Sequence, residues 1–170
     1  MWGVHVSDDE GFEEDRRVDA PSGLFLSRRG AWYHDGTRVR HARLEALLHA
    51  SIAREPHGGL IVTTGRDSLP FVSEDAPLQV RTLRHTPDDL VLLLSDGREE
   101  PVAGRAFFMD AAGRVRCAVR GGAFWALVSR SAGQTLLASL DAQGERILTP
   151  GRSCPVREAT LVDWTAPCPR

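Results

Sequence analysis

The chain has 170 residues, 23 acidic against 21 basic (all arginine), a formal net charge of -2 at pH 7 and 42% hydrophobic residues. That is long and apolar enough to bury a core and lies outside the disordered range, while the balanced charge provides no field for gathering nucleic acid or an anionic membrane. No apolar run reaches the roughly 18–20 residues of a membrane helix, no signal-peptide pattern opens the chain, and Cys117, Cys154 and Cys168 form no CxxC, so a reducing cytoplasm is the expected location.

Residues 1–20 hold seven acids against Arg16 and Arg17. They read as an acidic extension and a candidate contact for a protein partner. Leu24–Leu26 and Trp32–His34 read as a hairpin closed through Gly30, with Asp35-Gly36 as a second turn. From 40 to 54 the spacing of Leu44, Leu47, Leu48 and Ile52 predicts a helix with one buried stripe, stopped by Pro56-His57-Gly58-Gly59. Strands follow at 60–63 and 71–72 around a Gly65–Pro70 turn, then at 78–83, 90–94 and 101–105. Further strands are expected at 106–109 and 115–119 around Gly113. A helix over 123–140 would present Phe124, Leu127, Val128, Leu136, Leu137 and Leu140, and Ile147-Leu148 would form a short strand. The stretch from Cys154 onward reads as an irregular wrap.

Two segments of this path repeat. Residues 24–72 and 107–156 each run hairpin, helix, strand, Gly-Arg and proline, and the hairpin glycines Gly30 and Gly113 lie 83 residues apart. The class expected is α+β: two small lobes of mostly antiparallel sheet with one main helix each. The boundaries are an acidic extension over 1–20, an N-terminal lobe over 21–76, a C-terminal lobe over 77–156 and a tail over 157–170.

No HExxH, GxSxG, phosphate-binding or dinucleotide-binding glycine motif is present. The histidines form no metal-ligand spacing, and neither a metal nor a cofactor is expected. Gly121-Gly122 before a helix reads as a plain turn, and Cys117 as an inert buried thiol. Arg66 and Arg152 each follow a glycine in matching turns. If the lobes face one another, two guanidiniums could converge on a phosphate or carboxylate; the other reading is surface salt bridging.

The run Arg29-Gly30-Ala31-Trp32-Tyr33-His34-Asp35-Gly36, then Arg40 opening a leucine-rich helix, Thr63-Thr64-Gly65-Arg66, and Val72-Ser73-Glu74-Asp75-Ala76-Pro77 resemble bacterial domain-of-unknown-function family 1285 over roughly residues 20–155. The resemblance implies a two-lobed α+β protein with a cleft suited to a nucleotide-like ligand and a link to signalling. It implies His34, Arg38, Arg66, Glu74 and Asp75 at the cleft rim. After Thr63-Thr64 the family has Pro and then Glu-Lys, where this chain has Gly65-Arg66-Asp67.

The leading expectation is therefore a non-catalytic small-molecule binding or sensor protein holding an anionic, nucleotide-like ligand between the lobes, with candidates His34, Arg38, Arg66, Glu74, Asp75 and Arg152. A protein-interaction scaffold is the alternative, and it requires a filled seam and an exposed apolar patch elsewhere. A small hydrolase or transferase comes third; it would need a base and a nucleophile such as His34 with Cys117 or Asp75 in reach of one another.

Overall fold

The computed structural model describes residues 22–150, 152–159 and 163–168. The strands in chain order are β1 (Leu24–Leu26), β2 (Trp32–His34), β3 (Thr37–Arg38), β4 (Ile52–Arg54), β5 (Leu60–Thr64), β6 (Asp67–Ser73), β7 (Leu78–His85), β8 (Leu90–Leu94), β9 (Glu99–Pro101), β10 (Phe107–Met109), β11 (Val115–Val119), β12 (Phe124–Val128), β13 (Arg146–Thr149) and β14 (Arg152–Glu158). Helix α1 (Ala42–Ala50) follows β3, and α2 (Arg130–Ala138) follows β12. Two sheets form, in the orders β3-β2-β1-β6-β5-β4 and β13-β14-β10-β11-β12-β7-β8-β9. Three pairings are parallel (β1 with β6, β10 with β14, β7 with β12), and the other named pairings are antiparallel.

The repeat is present in the topology. The first sheet's path from β3 to β5 is matched by β12-β11-β10-β14-β13 in the second, and Leu140, bridged to Ile147, occupies the place of β4. Individual hydrogen bonds repeat as well. Glu74 N–H donates to Leu26 O at 2.9 Å and Ala159 N–H to Met109 O at 2.8 Å; Thr63 N–H donates to Ser51 O at 3.0 Å and Leu148 N–H to Ser139 O at 2.7 Å. Strands β7–β9 have no counterpart in the first half and extend the second sheet alongside β12.

Local chemistry explains the turns and caps. Asp35 (φ 47°) and Gly36 (φ 77°) make the two-residue turn joining β2 to β3, where both central positions need positive φ to match strand twist. His41 caps α1 by accepting Leu44 N–H on its ring nitrogen at 3.3 Å, and Ser129 caps α2 by accepting Ala132 N–H at 3.2 Å.

Three sequence expectations are corrected. Phe124–Val128 is a strand rather than the start of a helix: four of its five residues are buried, and a fully buried strand carries the same unbroken apolar run as a buried helix turn. The first helix is shorter than expected, ending at Ala50 with Ile52 already in β4. Cys154 lies within regular strand, because β14 pairs with β13 over Arg152–Pro155 and with β10 over Val156–Glu158.

One core spans both sheets. Leu26, Trp32, Leu48, Ile52, Val62 and Phe71 from the first half join Leu78, Val80, Phe107, Cys117, Ala126 and Ile147 from the second in a single apolar cluster. The opposite face of the second sheet carries a smaller cluster of Ala76, Trp125 and Leu127, covered by Phe108, Trp164 and Cys168. Among the described residues, no helix is long and apolar enough to cross a membrane.

Candidate functional site

The seam between the sheets is crossed by arginines that reach from one half into the other. Arg54, at the end of edge strand β4, donates to Ala123 O at 3.1 Å, to Gly58 O at 2.6 Å and to Thr165 O at 3.0 Å. Arg120 makes the reverse crossing, donating to Ile52 O at 2.8 Å with its guanidinium 3.9 Å from Asp96. Both guanidiniums lie over the Phe124 ring, 5.0 and 4.5 Å from its centroid. Arg105 ties Glu100 to Ala118 O, and Glu100 in turn accepts the Arg120 N–H. Burial lowers the pKa of Arg54 and of Arg120, which also feels neighbouring Arg98.

A second charged cluster is fixed by Asp75. Arg116, fully buried on β11, grips this carboxylate with two bonds of 2.8 and 2.6 Å, and its third nitrogen reaches Asp110 at 2.9 Å. Trp164 roofs the guanidinium, whose carbon lies 4.4 Å from the ring centroid. Burial disfavours the charge on Asp75, but the Arg116 guanidinium and the Ala76 N–H outweigh it and hold the carboxyl below its usual range. Asp110 is held well below that range, burial again being overcome, here by the Arg114 N–H and by the Arg116 and Arg114 guanidiniums. Against its own burial, Arg116 is pushed up by the two carboxylates.

A third buried polar group is His49 on α1. Its Nε2 is 3.1 Å from Gly30 O and its ring lies 5.6 Å from that of Trp32; among the described residues, its Nδ1 and the Trp32 Nε1 have no hydrogen-bond partner. Burial lowers its pKa and Arg81 adds to this, against the opposing pull of Gly30 O and Asp96.

The sequence candidates are dispersed. His34 is exposed on β2, 3.6 Å from its neighbour Asp35, and Arg38 is exposed on the edge strand β3. Glu74 pairs with Arg28 at 2.8 Å and accepts the Arg28 N–H, while Asp75 lies 3.5 Å from the same guanidinium. Glu74 and Asp75 are thus brought together through Arg28, as parts of an ion network.

Arg66 occupies the turn between Thr64 and Asp67, whereas Arg152 is the first residue of β14, paired with Thr149. Thr64 and Thr149 are twins, so the counterpart of Arg152 is Asp67. The Gly-Arg dipeptides match in sequence one position out of step with the strands. Arg28, Arg54, Arg116 and Arg120 escaped the sequence reading. Only Arg116 left a signal there, as a charge inside the apolar run Val115–Val119.

Burial pushes the Cys117 thiol up to about 12 and the Cys168 thiol up to about 11. Among the described residues, no group of three or more His, Cys, Asp or Glu side chains could hold a metal ion.

No family model matches the chain, and no curated protein does. Solved structures do. A DUF1285 family protein from Silicibacter pomeroyi DSS-3 superposes with a TM-score of 0.64 at 17% identity, over 81% of this chain and 80% of that one. A DUF1285 family protein from Shewanella baltica OS155 superposes with a TM-score of 0.53 at 15% identity, over 71% of this chain and 94% of that one. At these identities the likeness is one of fold: the chain has the two-sheet α+β architecture of those two DUF1285 family proteins.

Proposed function

We propose that the chain is a non-catalytic interaction module that offers the outward face of α1 to a protein partner. One observation carries this reading: the twin helices differ on the side that faces solvent. On α1, Leu44 and Leu47 are 41% and 50% exposed, and Ala46 and Ala50 are exposed beside them. At the matching positions of α2, Gln134 stands for Ala46 and Thr135 for Leu47, while the counterpart of Leu44 is the buried Ala132. Helix α1 thus presents two leucines and two alanines as one contiguous apolar patch, which is what a protein contact needs, whereas α2 exposes the single Leu137, at 68%, beside Gln134. The shared core filling the seam and the mutual pairing of its charged groups support a surface-borne role.

The test is Leu44→Ser combined with Leu47→Ser, compared with wild type in affinity capture from the host lysate and in sedimentation. Loss of a reproducible partner at an unchanged thermal midpoint supports the reading. An identical set of partners, or none with either protein, overturns it.

A second reading, an anionic and nucleotide-like ligand, is favoured by Arg38, Arg66 and Arg152. All three are exposed, and among the described residues their side chains have no ion pair. Calorimetry with a nucleotide panel, repeated on Arg66→Ala and Arg152→Ala, tests it: affinity lost in both variants supports a shared site, and binding unchanged by either sinks it.

A further inference from the structure

We infer that the outer face of the first sheet is the docking site for the chain's own residues 1–21. The register puts Phe25, Tyr33, Arg38 and Val72 in one row, Phe25 pairing with both Tyr33 and Val72 and Tyr33 with Arg38. Side chains two apart on a strand share a face, and Ile61, paired with Pro70, belongs to the same one. Leu26, Trp32, Phe71 and Val62 point the other way, into the shared core. Phe25, Tyr33, Ile61 and Val72 belong to neither apolar cluster, and Val72 is 51% exposed.

The second half shows what covers such a face. Phe108 and Arg116 are the twins of Phe25 and Tyr33, and the chain's own segment beyond β14 lies across them. Trp164 packs 5.0 Å from the Trp125 ring and 4.4 Å from the Arg116 guanidinium. In the first half the counterpart of that segment, from Glu74 on, runs into β7 of the second sheet instead, and the chain entering β1 is the segment left to cover the face. Residues 1–21 hold Trp2, Val4, Val6 and Phe12 as apolar anchors, and Asp8, Asp9, Glu10, Glu13, Glu14 and Asp15 as a strongly acidic block. The face has the exposed Arg38 at its edge, and the rest of the chain carries nineteen arginines against sixteen acids, so charge favours the contact. Reach is no obstacle. The segment joins β1, a central strand, and about 21 residues span roughly 70 Å when extended, against about 15 Å from β1 to the sheet edge.

Trypsin cleavage after Arg16 and Arg17, timed by mass spectrometry on the full-length protein, tests this. Docking predicts cleavage about tenfold slower in the intact chain than in a synthetic peptide of residues 1–21. Val72→Asp, on the half-exposed face, and Trp2→Ala should each restore the peptide's rate, while Leu47→Ser leaves the slow rate unchanged and so separates this contact from the one on α1. An intact chain cut as fast as the peptide overturns the inference. So does protection that survives Val72→Asp, or protection that fades on dilution, which would place the segment on a second copy.

Discussion

Phe25 and Tyr33 on the first sheet hold the same two places as Phe108 and Arg116 on the second, and in each pair the two residues lie directly across a hairpin. The inner faces of the two hairpin-helix units have stayed alike: Leu48 and Leu136 are both buried, as are Val62 and Ile147. The outer faces have diverged in kind. Tyr33 is half-buried with its ring 6.1 Å from Phe25, whereas Arg116 is sealed between two carboxylates and an indole. A duplicated unit must keep the face that builds the common core, because one methylene there is felt throughout the packing, while the other face is free to change partners. The outer hairpin position of the second sheet has become anchored by charge and its twin in the first sheet has not, and each experiment below probes that difference.

The largest effect should come from Arg116→Ala. It strands Asp75 and Asp110 without their cation, and losing one member of a buried ion pair costs about 3–5 kcal/mol. Tyr33→Ala at the twin position should cost roughly 1–2 kcal/mol, because it trims only half-buried apolar surface. Urea unfolding at pH 7 measures both. Equal losses would mean that the ion network contributes no more than a tyrosine ring. The inner faces supply the control. Ile147→Ala and Val62→Ala remove fully buried side chains at matched positions, and both should cost about 2–4 kcal/mol with no charge dependence.

The two halves should also yield to acid in different ranges. His49 in the first half has a folded pKa below its ordinary value of 6.5, chiefly through burial. Between those two values the unfolded chain binds the extra proton, so stability falls as pH drops below about 6.5, at up to about 1.4 kcal/mol per pH unit from this residue. Around Arg116 of the second sheet, Asp75 and Asp110 are held below the ordinary carboxylate range by their arginines. Their contribution is complete above about pH 4 and is lost as pH falls from there toward the folded values. Urea midpoints from pH 8 to pH 3 should therefore show two descents. His49→Leu should remove only the upper one, and Asp110→Asn should diminish only the lower. A single descent near pH 4 in wild type would show that His49 is not held neutral by the fold.

The same contrast governs how far the sequence could be read. The repeat was legible because hairpin glycines and branched strand residues are local signals. The seam was not, since its contacts join residues far apart in order: Arg116 finds Asp75 across 41 positions and Arg120 finds Ile52 across 68. Glu74 and Asp75 stood out through the Glu-Asp-Ala-Pro run, yet their partners Arg28 and Arg116 carry no mark of pairing in the sequence. The Gly-Arg dipeptides misled by one position, because turn residues align by composition while strands align by hydrogen-bond register. Phe124–Val128 misled because burial on both faces erases the alternation that marks a strand.

The finest comparison lies in the hairpin turns themselves. Gly30 and Gly113 are twins with φ of 80° and 74°, and each turn closes with the same bond, Gly30 N–H to Ser27 O and Gly113 N–H to Asp110 O. An alanine at either pays about 1 kcal/mol for the left-handed backbone. Around Gly113 a new Cβ meets open space. At Gly30 it would come within 2.7 Å of the Gln79 side-chain oxygen, and that amide donates to Arg28 O at 2.7 Å. The flexible end of Gln79 can swing away, at the cost of that bond, worth about 1 kcal/mol. Gly30→Ala should therefore cost about twice as much as Gly113→Ala in urea unfolding. In a Gln79→Ala background the obstacle and the bond are both gone, so the two alanines should then cost the same. If the gap persists there, the Gly30 turn is constrained by something other than the strand β7 side chain that reaches it from the second sheet.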